Sequence, residues 1–274
     1  MRFGVAVLPN QPWPELVETW RTLDALNGVE SVWVADHLAN PYRREQPWFE
    51  GWTCLASLAR ETERARIGPL VSPMTLHNPA RLAKAAVTVD HASGGRLELA
   101  VGSGGSAFDH ALAQVPRWEP AERAQRFEDF VIRVRMLLDR DDLRPGAMQE
   151  RIPITVGGNS RGVLRVAARH ADRWNTYIGW QLAKEEGRRL TKERNARLDE
   201  LCNAARRDPR SLVRSALIGH SFVAETPFAS QHAFRELCVA YEEAGIDELI
   251  FYWPPEFSMP EDAFEPGLFE RLFA

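Results

Sequence analysis

The sequence predicts an α/β fold, a single-domain (β/α)8 TIM barrel. Short apolar segments alternate with segments of helical spacing along all 274 residues, and this unit occurs eight times. Such alternation implies parallel strands joined by helical crossovers. Eight units of this kind can close into a barrel, which commonly takes about 250 residues as one domain. No linker divides the chain, so we assign residues 1–274 to one barrel domain.

The strands are predicted where short apolar runs stand between glycine, proline or polar residues. They cover residues 3–8, 31–35, 66–72, 96–101, 153–156, 172–177, 212–223 and 248–253. In a barrel the carboxyl ends of all strands meet at one rim, and the active site lies there. The residues that follow each strand are therefore the candidates for function.

The helices are predicted from apolar residues at helical spacing and from capping residues. Asn78-Pro79 places a cap residue before a proline at the first helical position, and Gly94-Gly95 ends the same helix. The predicted helices cover residues 16–26, 49–63, 78–95, 120–138, 161–170, 181–207, 230–244 and a last segment near the end. The polar stretch 139–151 is predicted to be a loop.

A doubly wound open sheet is the alternative architecture for the same order of elements. That fold commonly carries a G-x-G-x-x-G fingerprint in its first strand–helix turn. The turn after residue 8 lacks this fingerprint, so the barrel is favoured.

Composition and charge narrow the classes of function. A mild net charge of −4 gives no argument for nucleic-acid binding, which would call for a basic face, so no nucleic-acid partner is expected. The three cysteines have no C-x-x-C spacing, which argues against a disulfide framework or zinc site and favours a reducing, cytoplasmic location. No signal peptide, membrane span or metal-ligand cluster is expected either.

The second strand ends at Asp36-His37, a carboxylate beside an imidazole. Histidine exchanges protons readily near neutral pH, and an acidic neighbour can orient it. This pair is the catalytic candidate. The alternative interpretation is a helix cap beside a solvent-exposed histidine.

The third and fourth strands end in segments suited to a flat ligand. Proline cannot donate to a sheet ladder, so the prolines around Pro69-Leu70-Val71-Ser72 predict an irregular bulge. Gly102-Ser103-Gly104 follows the fourth strand, and glycine lets a backbone approach a ligand closely. The alternatives are an ordinary distortion at the first segment and a flexible turn at the second.

The fifth strand ends at Gly157-Gly158-Asn159-Ser160-Arg161 and leads directly into a helix. Backbone N–H groups at a helix N-terminus, together with an arginine, form an anion site that would suit a cofactor phosphate. The alternative is a plain turn capped by Ser160 or Asn159.

Six stretches in this order resemble the luciferase-like monooxygenase superfamily, which includes bacterial luciferase, flavin monooxygenases and oxidoreductases that use coenzyme F-420. They are SVWVADH at 31–37, IGPLVSP at 67–73, HNPA at 77–80, SGGRLELAVGSG at 93–104, ITVGG at 154–158 and ADRWN at 171–175.

The resemblance implies where a cofactor would bind. Asp36 and His37 would face an isoalloxazine-type ring at the barrel mouth. The third-strand bulge would contain a non-prolyl cis peptide near Pro69-Leu70, behind the ring. The turn at 157–159 would hold the phosphate. A homodimer is also implied.

This sequence departs from the family pattern at three places. Gly105 stands where relatives often have an aromatic or acidic residue, which in the sugar-phosphate dehydrogenase branch is a catalytic glutamate. The arginine that is common before the His-Pro of the third turn is replaced by the sequence Leu76-His77-Asn78. The loop at 139–151 is short, so the pocket would be open or completed by a partner chain.

Two functions follow from the resemblance. The first is hydride transfer between coenzyme F-420 and a small organic substrate. The second is an FMN-dependent monooxygenase supplied with reduced flavin by a separate reductase. A non-catalytic flavin-binding barrel is a third alternative, which the Asp36-His37 pair disfavours. Among the aromatics, Trp253 is expected to line the pocket, whereas Trp48, Phe49 and Trp52 are expected to pack the structure.

Overall fold

Parallel strands form a barrel in this computed structural model, which describes residues 1–41, 43–179, 181–219, 224–253, 265 and 267–274. The described strands are β1 (Arg2–Val7), β2 (Ser31–Val34), β3 (Arg66–Pro69), β4 (Ser72–Pro73), β5 (Leu99–Gly102), β6 (Ile154–Gly157), β7 (Arg173–Ile178), β8 (Val213–Ile218) and β9 (Glu248–Trp253). Their order around the sheet is β3-β2-β1-β9-β8-β7-β6-β5-β4, and every pair is parallel. The (β/α)8 prediction is confirmed.

The two ends of this sheet belong to one barrel strand, the predicted strand 66–72. A non-prolyl cis peptide at Leu70–Val71 divides it into β3 and β4. β3 pairs with β2, β4 pairs with β5, and a bridge between Ile67 and Leu97 closes the gap. The cis bond lies one residue after the expected Pro69-Leu70 position. The Leu70 N–H before it donates to the Val34 carbonyl of β2 at 2.8 Å.

The described helices are α1 (Trp13–Ala25), α2 (Gly51–Glu61), α3 (Pro79–Ser93), α4 (Ala107–Leu112), α5 (Pro120–Leu138), α6 (Arg161–His170), α7 (Lys184–Ala204), α8 (Gln231–Glu243) and α9 (Leu268–Phe273). Asn78 caps α3 and Gly94 ends it at φ 71°, as the sequence predicted. The prediction missed α4. The end of predicted strand 212–223, residues 220–223, lies outside the described residues. None of the described helices is long and apolar enough to cross a membrane.

The barrel interior has two layers of different chemistry. The layer nearer the carboxyl ends is apolar and contains Ala6, Trp33, Ala100, Leu217 and Ile250. The layer nearer the amino ends is charged: Arg66 and Arg173 each pair with both Glu98 and Glu248. A separate and larger apolar core lies between the strands and the helices.

Candidate active site

A small cavity of about 60 Å³ opens at the carboxyl ends of the strands. Its described lining is apolar except for His37 and the hydroxyl of Tyr252, with Leu70 of the bulge and Trp48 among the other members. This volume is well below the roughly 300–1,000 Å³ of typical ligand pockets, so we expect the cavity to be one part of a larger binding site. It lies where the barrel prediction placed the active site.

His37 lines this cavity, and a carboxylate lies within hydrogen-bond distance of its imidazole ring. Its Nδ1 lies 2.6 Å from Oδ2 of Asp109, and the indole N–H of Trp48 donates to the His37 carbonyl at 2.9 Å. Asp109 is only 3% exposed and stands in α4. Thus the acidic partner of His37 is Asp109, and the expected partnership with its chain neighbour Asp36 is wrong.

The Asp109 carboxyl is kept in its charged form. Burial alone would raise its pKa, but hydrogen bonds from His37, the Leu38 N–H and Ser106, with the charge of His37, hold that pKa below its usual value. One sequence signal could have identified this residue. Ser106 followed three positions later by an acidic residue is typical of a helix N-terminus, and Ser106 does cap α4 by accepting from the Asp109 N–H.

Asp36 makes different contacts. Its Oδ2 accepts a hydrogen bond from Ser72 Oγ at 2.6 Å and lies 2.7 Å from His77 Nε2. The Trp52 indole N–H donates to the same Ser72 hydroxyl at 2.9 Å. Asp36 is 4% exposed. Its carboxylate therefore anchors the segment that follows the bulge, and a direct catalytic role for it stays a prediction.

The glycines that end β5 and β6 make room for the bulge. A Cβ at Gly102 or at Gly157 would come within 2.6 Å of a Val71 methyl carbon. Val71 therefore fills the space between the two strand ends. Gly104 adopts φ 73° and a Cβ there would come within 2.6 Å of Thr75. Packing against Val71 and Thr75 therefore already accounts for Gly102 and Gly104, and cofactor binding by Gly102, Ser103 and Gly104 stays a prediction.

Substitution of Gly157 by alanine is expected to destabilise the protein by roughly 1–3 kcal/mol, because the new methyl would overlap Val71. Val71 is β-branched and cannot easily change rotamer. Gly105→Ala is the matched control, since no atom lies within 4 Å of its Cβ position, and it should stay within about 0.5 kcal/mol of the parent. Urea unfolding of the three proteins measures both values. Equal stability of the two variants would contradict the packing role given to Gly157.

Several polar groups in the turn after β6 form hydrogen bonds within the protein. The Gly158 N–H donates to the Asn175 carbonyl. The Asn159 side-chain amide donates to the Tyr177 carbonyl and accepts from the Thr176 hydroxyl. Ser160 Oγ accepts from the Val163 N–H and so caps α6. Ser160 and Arg161 are exposed. Both interpretations of this turn thus remain: Ser160 is a cap, and phosphate binding by residues 157–161 stays a prediction.

The aromatic residues differ from expectation. Trp48 and Tyr252 line the cavity, whereas Trp253 packs on Phe269 with ring centroids 4.9 Å apart and adjoins the outer core. Alternation along β9 explains this result, since Ile250 and Tyr252 face inward and the next residue must face outward. Trp52 is buried and Phe49 packs against Trp13, as expected for structural residues.

Comparisons with known proteins agree with this architecture. The family model described as luciferase-like monooxygenase matches residues 1–265. An F-420-dependent glucose-6-phosphate dehydrogenase of Amycolatopsis mediterranei is 35% identical over 120 residues, which cover 42% of this chain and 35% of that protein. A 4-hydroxyprotoasukamycin monooxygenase of Streptomyces nodosus subsp. asukaensis is 28% identical over 154 residues, which cover 51% of this chain and 38% of that protein. The aligned stretches span little more than a third of either relative.

A solved structure shows the same fold over nearly the whole chain. It is an F-420-dependent secondary alcohol dehydrogenase in complex with an F-420–acetone adduct, with a TM-score of 0.82 at 16% identity, covering 98% of this chain and 97% of that one. The family model covers all but the last nine residues of the sequence. The chain therefore belongs to the luciferase-like monooxygenase family.

Proposed function

We propose that this luciferase-like oxidoreductase transfers hydride between coenzyme F-420 and a small organic substrate. The observation that carries the proposal is a histidine, His37, backed by a buried carboxylate and placed on an otherwise apolar cavity at the barrel rim. Support for F-420 comes from the 35% identity to a dehydrogenase described as F-420-dependent.

The residues at the rim fit a planar, largely apolar ring. Leu70 presents the bulge to the cavity, and Trp48 and Tyr252 contribute aromatic walls. When bound, the deazaflavin would supply the carbon that accepts or donates hydride. An anion site at the exposed start of α6, with Arg161, would hold the cofactor phosphate.

His37 exchanges the proton that accompanies the hydride. A substrate alcohol loses its hydroxyl proton to the imidazole as its carbon loses hydride, and a ketone takes the proton back in the reverse direction. Histidine suits this task because it gains and loses a proton near neutral pH.

An FMN-dependent monooxygenase supplied by a separate reductase is the second candidate. One observation favours it, the 28% identity to a monooxygenase over half of this chain. The apolar cavity would serve that chemistry as well, since a reactive oxygenated flavin must be protected from water.

Titration of the purified protein with F-420 and FMN, each oxidised and reduced, separates the two candidates. Trp48 lines the cavity, so a bound ring should quench its fluorescence, and Trp48→Phe should lose most of that signal. We expect F-420 to bind more tightly than FMN. Preference for reduced FMN would support the monooxygenase instead, and binding of neither cofactor would refute both.

A further inference from the structure

The imidazole of His37 has two nitrogens, and only one of them has a hydrogen-bond partner among the described residues. Nδ1 lies 2.6 Å from Asp109 Oδ2. Nε2 has no described hydrogen-bond partner, and the side chain is 33% exposed on the cavity side of the barrel rim. The ring nitrogen that carries the proton in the neutral state is set by the bond made at the other position.

The Asp109 carboxylate is held in place and acts only as a hydrogen-bond acceptor. Its Oδ1 accepts the Leu38 N–H at 3.2 Å while Oδ2 faces His37. Its backbone N–H is fixed by Ser106 at the start of α4. An ionised carboxylate has no hydrogen to donate, and the depressed pKa of Asp109 keeps it ionised at neutral pH. The hydrogen of this bond must therefore come from His37.

We infer that Asp109 is a positioning residue that fixes His37 in the tautomer with hydrogen on Nδ1 and thereby makes Nε2 the proton-exchanging atom. The catalytic meaning of this inference rests on the proposed function. The tautomer itself does not.

Because residue 105 is a glycine, it supplies no carboxylate, and the nearby carboxylate of Asp109 acts through His37. Position 105 carries no side chain, and no atom lies within 4 Å of the place a Cβ would take. The carboxylate next along this segment is Asp109, four residues later, and its oxygens are bonded to His37 and Leu38. In the described lining of the cavity, His37 is the only imidazole, and no carboxylate accompanies it. The proposed function assigns proton exchange to His37, and Asp109 decides which nitrogen performs it.

A purely structural role is the competing explanation. Asp109 bonds the Leu38 N–H and could serve only to join α4 to the segment after β2. The two roles differ in what an asparagine would do. Asparagine has one acceptor oxygen and an NH2 group that can only donate. Because the Leu38 N–H cannot change, the oxygen should stay with Leu38 and the NH2 should face Nδ1. This arrangement forces the hydrogen onto Nε2.

The test is the tautomer of His37 in solution without cofactor. Protein labelled with ¹⁵N in its histidines is studied by long-range ¹H–¹⁵N correlation at about pH 9, above the ordinary pKa of imidazole. The chain has seven histidines, so His37→Gln identifies the signal. In the parent, Nδ1 should show a protonated shift and Nε2 an unprotonated one. Asp109→Asn should reverse the two.

Asp36→Asn is the matched control, because Asp36 bonds His77 and Ser72. It should alter the His77 signals and leave the His37 tautomer as in the parent. A parent protein with hydrogen on Nε2 would overturn the inference, and so would an Asp109→Asn protein, folded by circular dichroism, whose His37 tautomer is unchanged. Because the measurement uses the protein alone, failure to bind F-420 would refute the proposed function and leave this result standing.

Discussion

Replacing Glu248 by alanine should destabilise the protein by about 3–5 kcal/mol, because it removes one of the two carboxylates that Arg66 and Arg173 share and leaves excess positive charge in the barrel interior. Glu248 is fully buried; it accepts from Ser31 Oγ at 2.6 Å and pairs with both Arg66 and Arg173. Arg173 is itself only 7% exposed. Natural domains have about 5–15 kcal/mol of total stability, so this single change should remove a large part of it.

An exposed ion pair provides the control for this prediction. Glu122 pairs with Arg126 at 2.8 Å on the surface of α5, where both side chains are about half exposed. Glu122→Ala should cost less than about 1 kcal/mol. Urea unfolding of the parent and both variants measures the difference. A Glu248→Ala protein as stable as Glu122→Ala would show that the charged layer adds no stability.

Low pH should reduce the stability that the charged layer of the barrel interior contributes. Burial by itself would raise the pKa of Glu248, but Arg66 and Arg173 hold that pKa below its usual value. A carboxyl with a depressed pKa in the folded state adds stability above its unfolded pKa, and this is lost as the pH falls through the folded value. The stability difference between the parent and Glu248→Ala should therefore shrink toward acid pH.

Replacing His37 by alanine should lower turnover by about 10²–10⁴-fold, the usual contribution of a positioned acid or base. The side chain lies on the cavity, and Asp109 holds it in place. Cofactor affinity should change far less, because Leu70, Trp48 and Tyr252 still line the cavity. The first assay follows F-420 reduction with 2-propanol, a probe chosen because the cavity is small and apolar.

His232→Ala is the control for this variant, since His232 is exposed on α8. It should turn over as the parent does. A His37→Ala enzyme with parental turnover would show that another group exchanges the proton. A loss of cofactor binding equal to the loss of turnover would assign His37 to cofactor binding instead.

Local sequence patterns were enough to predict the order of the strands and helices and the residues at the carboxyl-end rim of the barrel. Both predictions depend on residues that lie within a few positions of one another in the sequence. Asn78 caps α3 because its oxygen reaches N–H groups two and three residues later, and Gly94 ends that helix because it tolerates positive φ. The same local patterns placed His37 and the bulge at strand ends.

Contacts between side chains across the barrel follow from the tertiary structure and could not be predicted from local patterns. His37 and Asp109 are 72 positions apart, and no local pattern relates them. Their bond depends on how the ends of β2 and β5 come together when the barrel closes. The same holds for Val71, which fits against Gly102 and Gly157, and for Glu248, which meets arginines from β3 and β7. Strand register sets these contacts, and it is fixed only when the whole sheet is closed.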